Sequence, residues 1–327
     1  MKVIIQIPCY NEEKTLPAVF RDLPSSIVGV DVIETQIIDD GSNDKTVEVA
    51  ENLGVDHIVR MNRNKGLAAA FKAGVDNALK NGADILINTD GDNQYCGADV
   101  ARLVDCMIQE KADMVVGCRP ILDHPEFSGM KKLLQIAGSW VVRVVSKTSI
   151  PDAASGFRAY SRDALMRLNI VSTFSYCMET LIQAGNANMK VAHTPIRVNP
   201  KTRDSRLFRN IPEYLLKQIK TIVSMFILYR SNVFFGILSL CFFLPSVFLA
   251  LRYLYLIMFL NAPLANFWPS VILSGILLVI GCLCYLSGVL ASLFAAQRKL
   301  SEETIYHIRR STYGSTNTKT TIFTQEP

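Results

Sequence analysis

Between Ser231 and Gln297 only one residue, Arg252, carries a charge. A run of that kind leaves few choices, because a segment with no charge and no polar face has no solvent side to present to water. Ser231–Leu251 is uncharged and about 20 residues long, enough to cross a hydrocarbon core of roughly 30 Å. Asn261–Gln297 is uncharged as well, and its Trp268–Leu293 portion suffices for a second crossing. Arg230 flanks the first span, Arg298 and Lys299 flank the second, and the connecting residues 261–267 hold no Lys or Arg. The positive-inside rule then predicts both ends in the cytosol and a short turn outside. Arg252 falls near the outer end of the first span, where it reaches headgroups by snorkelling. The competing reading is a buried core hairpin.

Upstream of Ser231 the pattern changes to short apolar runs alternating with amphipathic ones. Val3–Ile7, Thr35–Ile38, His57–Met61, Ala83–Asn88 and Asp113–Gly117 read as strands. Glu12–Leu23, Asp44–Leu53 (capped by Ser42 or Asn43), Leu67–Lys80 and Asp99–Lys111 read as helices. Continuous apolar strands alternating with helices predict an α/β fold with a mostly parallel sheet covered on both faces. Ala187–Arg197 adds a strand near the end of this domain. Lys131–Lys147 carries Leu133, Leu134, Ile136, Trp140, Val141, Val144 and Val145 at helical spacing, as a core helix or an interfacial helix against lipid would. The expected organisation is a catalytic domain over 1–210, an interfacial amphipathic helix over 211–230 with Lys217 and Lys220 on its polar side, two transmembrane helices over 231–297, and a cytosolic, partly disordered tail over 298–327.

Composition excludes more than it assigns. A net charge of +5 in 327 residues, without a zinc finger, basic helix or RNA-binding aromatic motif, gives no nucleic-acid signal. The eight cysteines form no CxxC pair and no zinc-ligand spacing, and scattered thiols fit a reducing cytosol. Val3–Ile7, soon followed by Glu12, Glu13 and Lys14, is too short for the core of a signal peptide. His57, His124, His193 and His307 lack catalytic or metal spacing.

In a parallel α/β sheet, ligands bind beyond the carboxyl ends of the strands. Three polar clusters fall there: Pro8-Cys9-Tyr10-Asn11-Glu12-Glu13, Asp39-Asp40-Gly41-Ser42 and Asp90-Gly91-Asp92-Asn93-Gln94. The first two also suit ordinary turns and helix caps. In the third, two carboxylates spaced i, i+2 around a glycine can converge on one hard divalent cation that bridges phosphates.

These segments, with Asn62-x-Asn64-Lys65-Gly66, stand in the order found in the family 2 glycosyltransferases of the GT-A fold, which the chain resembles. Asp152-Ala153-Ala154-Ser155-Gly156-Phe157-Arg158 narrows the likeness to the polyprenyl-phosphate glycosyltransferases, the dolichol-phosphate mannose synthases and their bacterial undecaprenyl-phosphate relatives. The resemblance implies that Pro8, Tyr10, Asn11, Glu12, Asp39, Asp40 and Lys65 hold a UDP- or GDP-sugar, and that Asp90 and Asp92 bind Mg²⁺ or Mn²⁺. Gln94 then contacts a phosphate, and Arg119, Lys131, Ser155, Arg158, Lys201, Arg203 and Arg206 line the acceptor site. The catalytic set becomes Asp90, Asp92, Gln94, Arg119 and Arg158. At two places the pattern departs: Lys131-Lys132 replaces an arginine, and residues 201–206 read Lys-Thr-Arg-Asp-Ser-Arg where relatives carry Arg-x-x-x-Ser-Lys.

The implied reaction is an inverting transfer onto a polyprenyl phosphate, undecaprenyl phosphate in the inner membrane if the source is bacterial. A phosphate acceptor is already anionic and needs alignment by cations, not a strong base. The basic residues also suit attraction to anionic lipid. Alternatives are a same-fold transferase with another membrane acceptor, or a non-catalytic nucleotide-binding scaffold. A processive polysaccharide synthase is disfavoured, since neither Trp140 nor Trp268 ends a Q/RxxRW motif. The apolar hairpin could also pack against copies of itself in a homo-oligomer.

Overall fold

The computed structural model describes residues 1–120, 129–170, 176–200, 229–260 and 268–314, with four further positions between 223 and 227. Its chain divides into two compact units, residues 1–215 with 302–327, and residues 216–301.

The first unit is built on seven strands: β1 Lys2–Cys9, β2 Val32–Asp39, β3 His57–Arg60, β4 Ile85–Asn88, β5 Met114–Cys118, β6 Arg158–Ser161 and β7 Val191–Pro195. Seven helices join them: α1 Leu16–Asp22, α2 Thr46–Asn52, α3 Leu67–Lys80, α4 Val100–Glu110, α5 Gly129–Ser146, α6 Arg162–Arg167 and α7 Tyr176–Asn186. The sheet order is β3-β2-β1-β4-β6-β5-β7. All pairings are parallel except those of β6, which runs antiparallel between β4 and β5. The α/β expectation therefore holds. Strand β6 and helices α6 and α7 were not expected from the sequence.

The strand order explains where a ligand belongs. From β1 the chain builds outward through β2 and β3, then returns to place β4 on the other side of β1. This reversal opens a crevice beyond the carboxyl ends of β1 and β4. Because β6 runs the opposite way, its first residue, Arg158, pairs with Asn88 at the end of β4. The loop leading into β6 is thereby carried to the same edge.

Strand periodicity sorts the two faces. Val3, Ile5, Ile85 and Ile87 join Leu103, Val104 and Met107 of α4 in one buried cluster. On the opposite face lies α3, whose Phe71 ring stacks on Tyr176 with centroids 4.2 Å apart and meets Tyr160 edge-on at 5.5 Å. Burying one such aliphatic side chain contributes about 1.5–3 kcal/mol.

Two helices, α8 Ser231–Leu260 and α9 Trp268–Tyr313, are long and apolar enough to cross a membrane, and few of their side chains are buried. That exposure does not fit the buried-core reading of these segments. Residues 231–260 are one helix with Pro245 inside it and an exposed Arg252 near its far end. The two helices meet along a seam of small residues: Ser239 Oγ donates to Gly281 O at 2.9 Å, Ser246 Oγ to Ser274 O at 2.8 Å and Ser274 Oγ to Ser246 O at 2.9 Å. Small residues let helix backbones approach in lipid, where hydrophobicity supplies no force between helices.

The tail expected over 298–327 begins as helix. Helix α9 continues to Tyr313, and from Glu302 onward it belongs to the first unit. Arg309 is buried there; its Nη1 donates to the carbonyls of Leu165 and Leu168 at 3.1 and 2.7 Å, and its Nη2 donates to Asp76 at 2.9 Å. Tyr306 donates to Asp163 at 2.9 Å under the Arg167 guanidinium, 4.2 Å from the ring centroid. Residues 315–327 and most of the expected interfacial helix lie outside the described residues.

Candidate active site

The segment after β1 is laced to the one after β2. Asn11, in the left-handed region at φ +56°, donates its backbone N–H to Ser42 Oγ at 2.9 Å, and its side chain accepts from Asn43 N at 2.8 Å. Glu12 is buried, with its N–H on Thr46 Oγ1 at 2.8 Å. Helix α2 begins at Thr46 and not at Asp44, because the Asp44 carboxylate accepts the Thr46 N–H at 3.0 Å as a turn would. Tyr10 is exposed at the edge of this segment.

Asp39 and Asp40 are both buried but serve different ends. The two oxygens of Asp40 accept the backbone N–H groups of Lys65 and Gly66, at 2.8 and 2.9 Å, and so pin the loop that opens α3. The Lys65 side chain is exposed. Asp39 spends Oδ1 on Ser42 N at 3.0 Å. Its Oδ2 has no hydrogen-bond partner among the described residues, with the exposed Arg60 Nε 3.8 Å away. A buried carboxylate oxygen left open is costly unless a ligand donor completes it.

Beyond β4, Asp90 and Asp92 flank Gly91, a position with little room for a side chain: a Cβ would stand 3.2 Å from Pro8 O and Cys9 Sγ. The Thr15 hydroxyl lies 2.7 Å from both Gly91 O and Glu12 Oε2, tying this loop to the first segment. Asp92 accepts Gln94 N at 3.1 Å, and Gln94 O accepts Asn199 N at 2.9 Å, so the loop is also held from the end of the domain. Two half-buried carboxylates form an all-oxygen donor set suited to a hard cation, which takes one or two carboxylates and completes its shell with phosphate and water.

Across from them, Arg119 follows β5. Its Nε and Nη2 donate to the two oxygens of Asp152 at 2.7 and 3.0 Å, a bidentate pair almost wholly out of water. Burial alone would depress the Arg119 pKa; Tyr95, Asp152 and Asp90 raise it by more, and the guanidinium stays charged.

At Arg158 the structure departs from expectation. Arg158 is fully buried, donating to Ser155 O at 2.8 Å, Cys177 O at 2.6 Å, Thr180 Oγ1 at 3.0 Å and Ala153 O at 2.7 Å. It brackets the loop before β6 to α7 and is not presented to an acceptor. Ser155 is buried as well, and its Oγ has no hydrogen-bond partner among the described residues. The side chains of Lys131, Lys201, Arg203 and Arg206 lie outside the described residues.

One edge of the sheet thus gathers Pro8 to Glu12, Asp39, Asp40, Asp90, Asp92, Gln94 and Arg119. The model of glycosyl transferase family 2 matches residues 4–168. The chain belongs to that family. It is a glycosyltransferase. A UDP-N-acetylglucosamine–dolichyl-phosphate N-acetylglucosaminyltransferase of Methanococcus voltae is 28% identical over 217 residues, 60% of this chain and 84% of that one. A polyprenol monophosphomannose synthase of Mycolicibacterium smegmatis is 26% identical over 206 residues, 60% of this chain and 76% of that one. Glucosyl-3-phosphoglycerate synthase of Mycobacterium tuberculosis, solved with Mn²⁺, UDP and phosphoglyceric acid, shares the fold at TM-score 0.53 and 17% identity, over 69% of this chain and 77% of that one.

Sequence reasoning missed Asp152 as the partner of Arg119, and it missed Thr15 and the buried amides Gln6, Gln36 and Asn88. A signal was present at Gln6, a polar residue between isoleucines in an apolar strand, whereas Gln36 follows Glu34 and Thr35 and Asn88 closes its strand.

Proposed function

We propose that this glycosyltransferase moves a sugar from a uridine diphosphate donor to a polyprenyl phosphate at the cytosolic membrane face. The observation that carries the reading is the opposition, at one sheet edge, of the Asp90–Asp92 pair and the Asp152-held Arg119. The first gathers positive charge for a diphosphate; the second offers positive charge to an anionic acceptor.

In this reading Asp90 and Asp92 hold Mg²⁺ or Mn²⁺, which, when bound, offsets the negative charge growing on the departing diphosphate. Glu12 and Asp39 hold the nucleoside. Asp39 has one open oxygen, Oδ2, and a single acceptor matches the single N3–H of uracil, whereas guanine offers two adjacent donor groups that call for two. The acceptor phosphate oxygen attacks the anomeric carbon from the side opposite the leaving diphosphate. A new carbon–oxygen bond forms as the bond to the diphosphate oxygen breaks, with inversion. No proton has to leave the nucleophile, so the side chains have to align and desolvate. Arg119 does this, with Lys131, Lys201, Arg203 and Arg206 proposed to join it. The relatives named for dolichyl phosphate and polyprenol support a lipid phosphate; undecaprenyl phosphate in a bacterial inner membrane is the specific acceptor proposed. Arg230, Arg298 and Lys299, which flank the two apolar spans, support cytosolic termini.

The test is transfer of label from a panel of UDP- and GDP-sugars into organic-extractable lipid by the full-length protein with polyprenyl phosphate and Mg²⁺. Label from a UDP-sugar, reduced about a thousandfold by Asp92→Asn, is the expected outcome. Label from GDP-sugars only would overturn the uridine assignment. No transfer from any donor, despite nucleotide binding, would overturn the lipid-phosphate acceptor.

A further inference from the structure

Gln6, Gln36 and Asn88 are fully buried in the middle of the sheet, on three adjacent strands. The register puts Gln6 directly opposite Gln36 on one side and Asn88 on the other, so the three amides form a row on the face covered by α3. Asn77 Nδ2 donates to Gln36 Oε1 at 2.9 Å, Gln36 Nε2 to Gln6 Oε1 at 2.9 Å and Gln6 Nε2 to Asn88 Oδ1 at 2.9 Å. Asn88 Nδ2 then donates to Gly156 O at 3.1 Å and to the Tyr176 hydroxyl at 2.7 Å.

The direction of this row is fixed from both ends. Gly156 O can only accept, so Asn88 must turn its NH₂ toward it and its carbonyl toward Gln6. Gln36 Nε2 also meets Gly74 O at 2.8 Å, another acceptor, which fixes Gln36 the same way. Gln6 lies between them and has one orientation that satisfies both. Room for it comes from Gly74, where a Cβ would fall 2.1 Å from Gln6 Oε1. Aligned amides polarise one another, and a partly satisfied row would be worse than an apolar one.

The row ends against the metal-binding carboxylates. Gly156 is clasped on both sides, its carbonyl by Asn88 and its N–H by the Tyr95 hydroxyl at 3.0 Å. A Cβ there would stand 3.1 and 3.3 Å from the two oxygens of Asp90. Gly156 therefore forms the wall against which the Asp90 carboxylate rests. It also belongs to the loop that carries Asp152, the holder of Arg119.

We propose that Asn88 is a positioning residue: through the Gln36–Gln6–Asn88 row it sets Gly156 against Asp90 and so fixes the geometry of the carboxylate pair. The proposal rests on the reading of Asp90 and Asp92 as the cation site. An apolar strand would have carried the same fold, since Ile5, Ile7, Ile37 and Ile87 beside the three amides are fully buried. The amides therefore serve placement of the loop more than cohesion of the sheet.

The test uses full-length protein in detergent, with Mn²⁺ as probe in the presence of UDP, followed by electron paramagnetic resonance beside the unfolding midpoint. Asn88→Asp keeps the shape but replaces the NH₂ that faces Gly156 O with an oxygen. Gln6→Met breaks the row on the neighbouring strand, β1, and decides the matter if the first variant does not fold. Mn²⁺ affinity of the folded protein is expected to fall about tenfold, the equivalent of roughly one lost hydrogen bond. A lowered unfolding midpoint with unchanged Mn²⁺ affinity would overturn the proposal and leave the row a part of the core. Asp92→Asn runs alongside. If it binds Mn²⁺ like the wild type, the cation reading itself fails; if it loses Mn²⁺ while Asn88→Asp and Gln6→Met keep it, only the positioning role fails.

Discussion

The catalytic unit and the helical hairpin solve the same problem in opposite solvents. In the catalytic unit apolar side chains fill the interior, and many of the polar groups inside are paired in sets, as in the Gln36–Gln6–Asn88 row and the Arg158 bracket. In the hairpin apolar side chains face outward, and the buried hydroxyls of Ser246 and Ser274 exchange bonds at the seam between helices. Where water is the alternative partner, a buried polar group must win back its lost hydration. Where lipid surrounds the chain, it has no such competitor, yet the gain stays small because the separated helices also find partners. The same bond should therefore matter more in the catalytic unit than in the membrane.

The largest effect on stability is expected at Arg158. Arg158→Met removes the donors from three carbonyls and a hydroxyl at once, and should cost about 3–5 kcal/mol. That is on the order of 10 °C in the unfolding midpoint of a domain of this size. The KM for the lipid acceptor in the protein that still folds should stay within about twofold. A rise in that KM with little change in the midpoint would return Arg158 to the acceptor site.

Asp152→Asn comes next. It leaves Arg119 charged and almost buried without its carboxylate partner, at about 3 kcal/mol. Adding Arg119→Met should recover much of that loss, and a double-mutant cycle in the unfolding midpoint measures how much. Simple additivity would break the view that the pair acts as one unit.

Arg309→Met is expected to cost less, about 1–2 kcal/mol, because Asp76 is half exposed and water can replace the guanidinium there. The effect should be local: faster hydrogen exchange in residues 302–313, with β1 and β4 unaffected.

How much of this was legible beforehand follows from where each signal lives. The strands β1, β2 and β4 announced themselves as apolar runs with polar clusters at their ends, and the strand order that opens the crevice came only with the structure. Helix α3 was bounded correctly at Leu67 and Lys80, since Gly66 opens it and its apolar face repeats at helical spacing. Strand β6 was invisible: four residues between a loop and helix α6 carry no periodicity, and their antiparallel course is set by tertiary pairing with β4 and β5. Arg158 was assigned to the acceptor by the resemblance of the Asp152–Arg158 segment to the polyprenyl-phosphate glycosyltransferases. An arginine after Ser-Gly-Phe looks like a ligand for phosphate, and only the fold shows backbone carbonyls closing around it. The docking of the tail was hidden because its serine and threonine content outweighed a subtler sign. Tyr306 and Arg309 stand three residues apart on one helical face, a spacing that marks a packed surface as readily as a solvated one.

The smallest effect is the one that tests the comparison most directly. Ser246→Ala removes one donor from the hairpin seam, and Ser274→Ala removes its counterpart. Each should cost about 0.6 kcal/mol and the pair no more than about 1.7, measured as helix dissociation in mild detergent or bicelles. Packing should matter more than either hydroxyl. At Gly288 a Cβ would stand 2.9 Å from the Phe235 Cβ, so Gly288→Val must push the helices apart along their length. If Gly288→Val destabilises the hairpin more than the double serine variant does, close approach holds the helices and the hydroxyls follow from it. If the serines dominate, the seam obeys the rule of the catalytic interior, and the contrast between the two regions lies only in which side of the chain their apolar groups face.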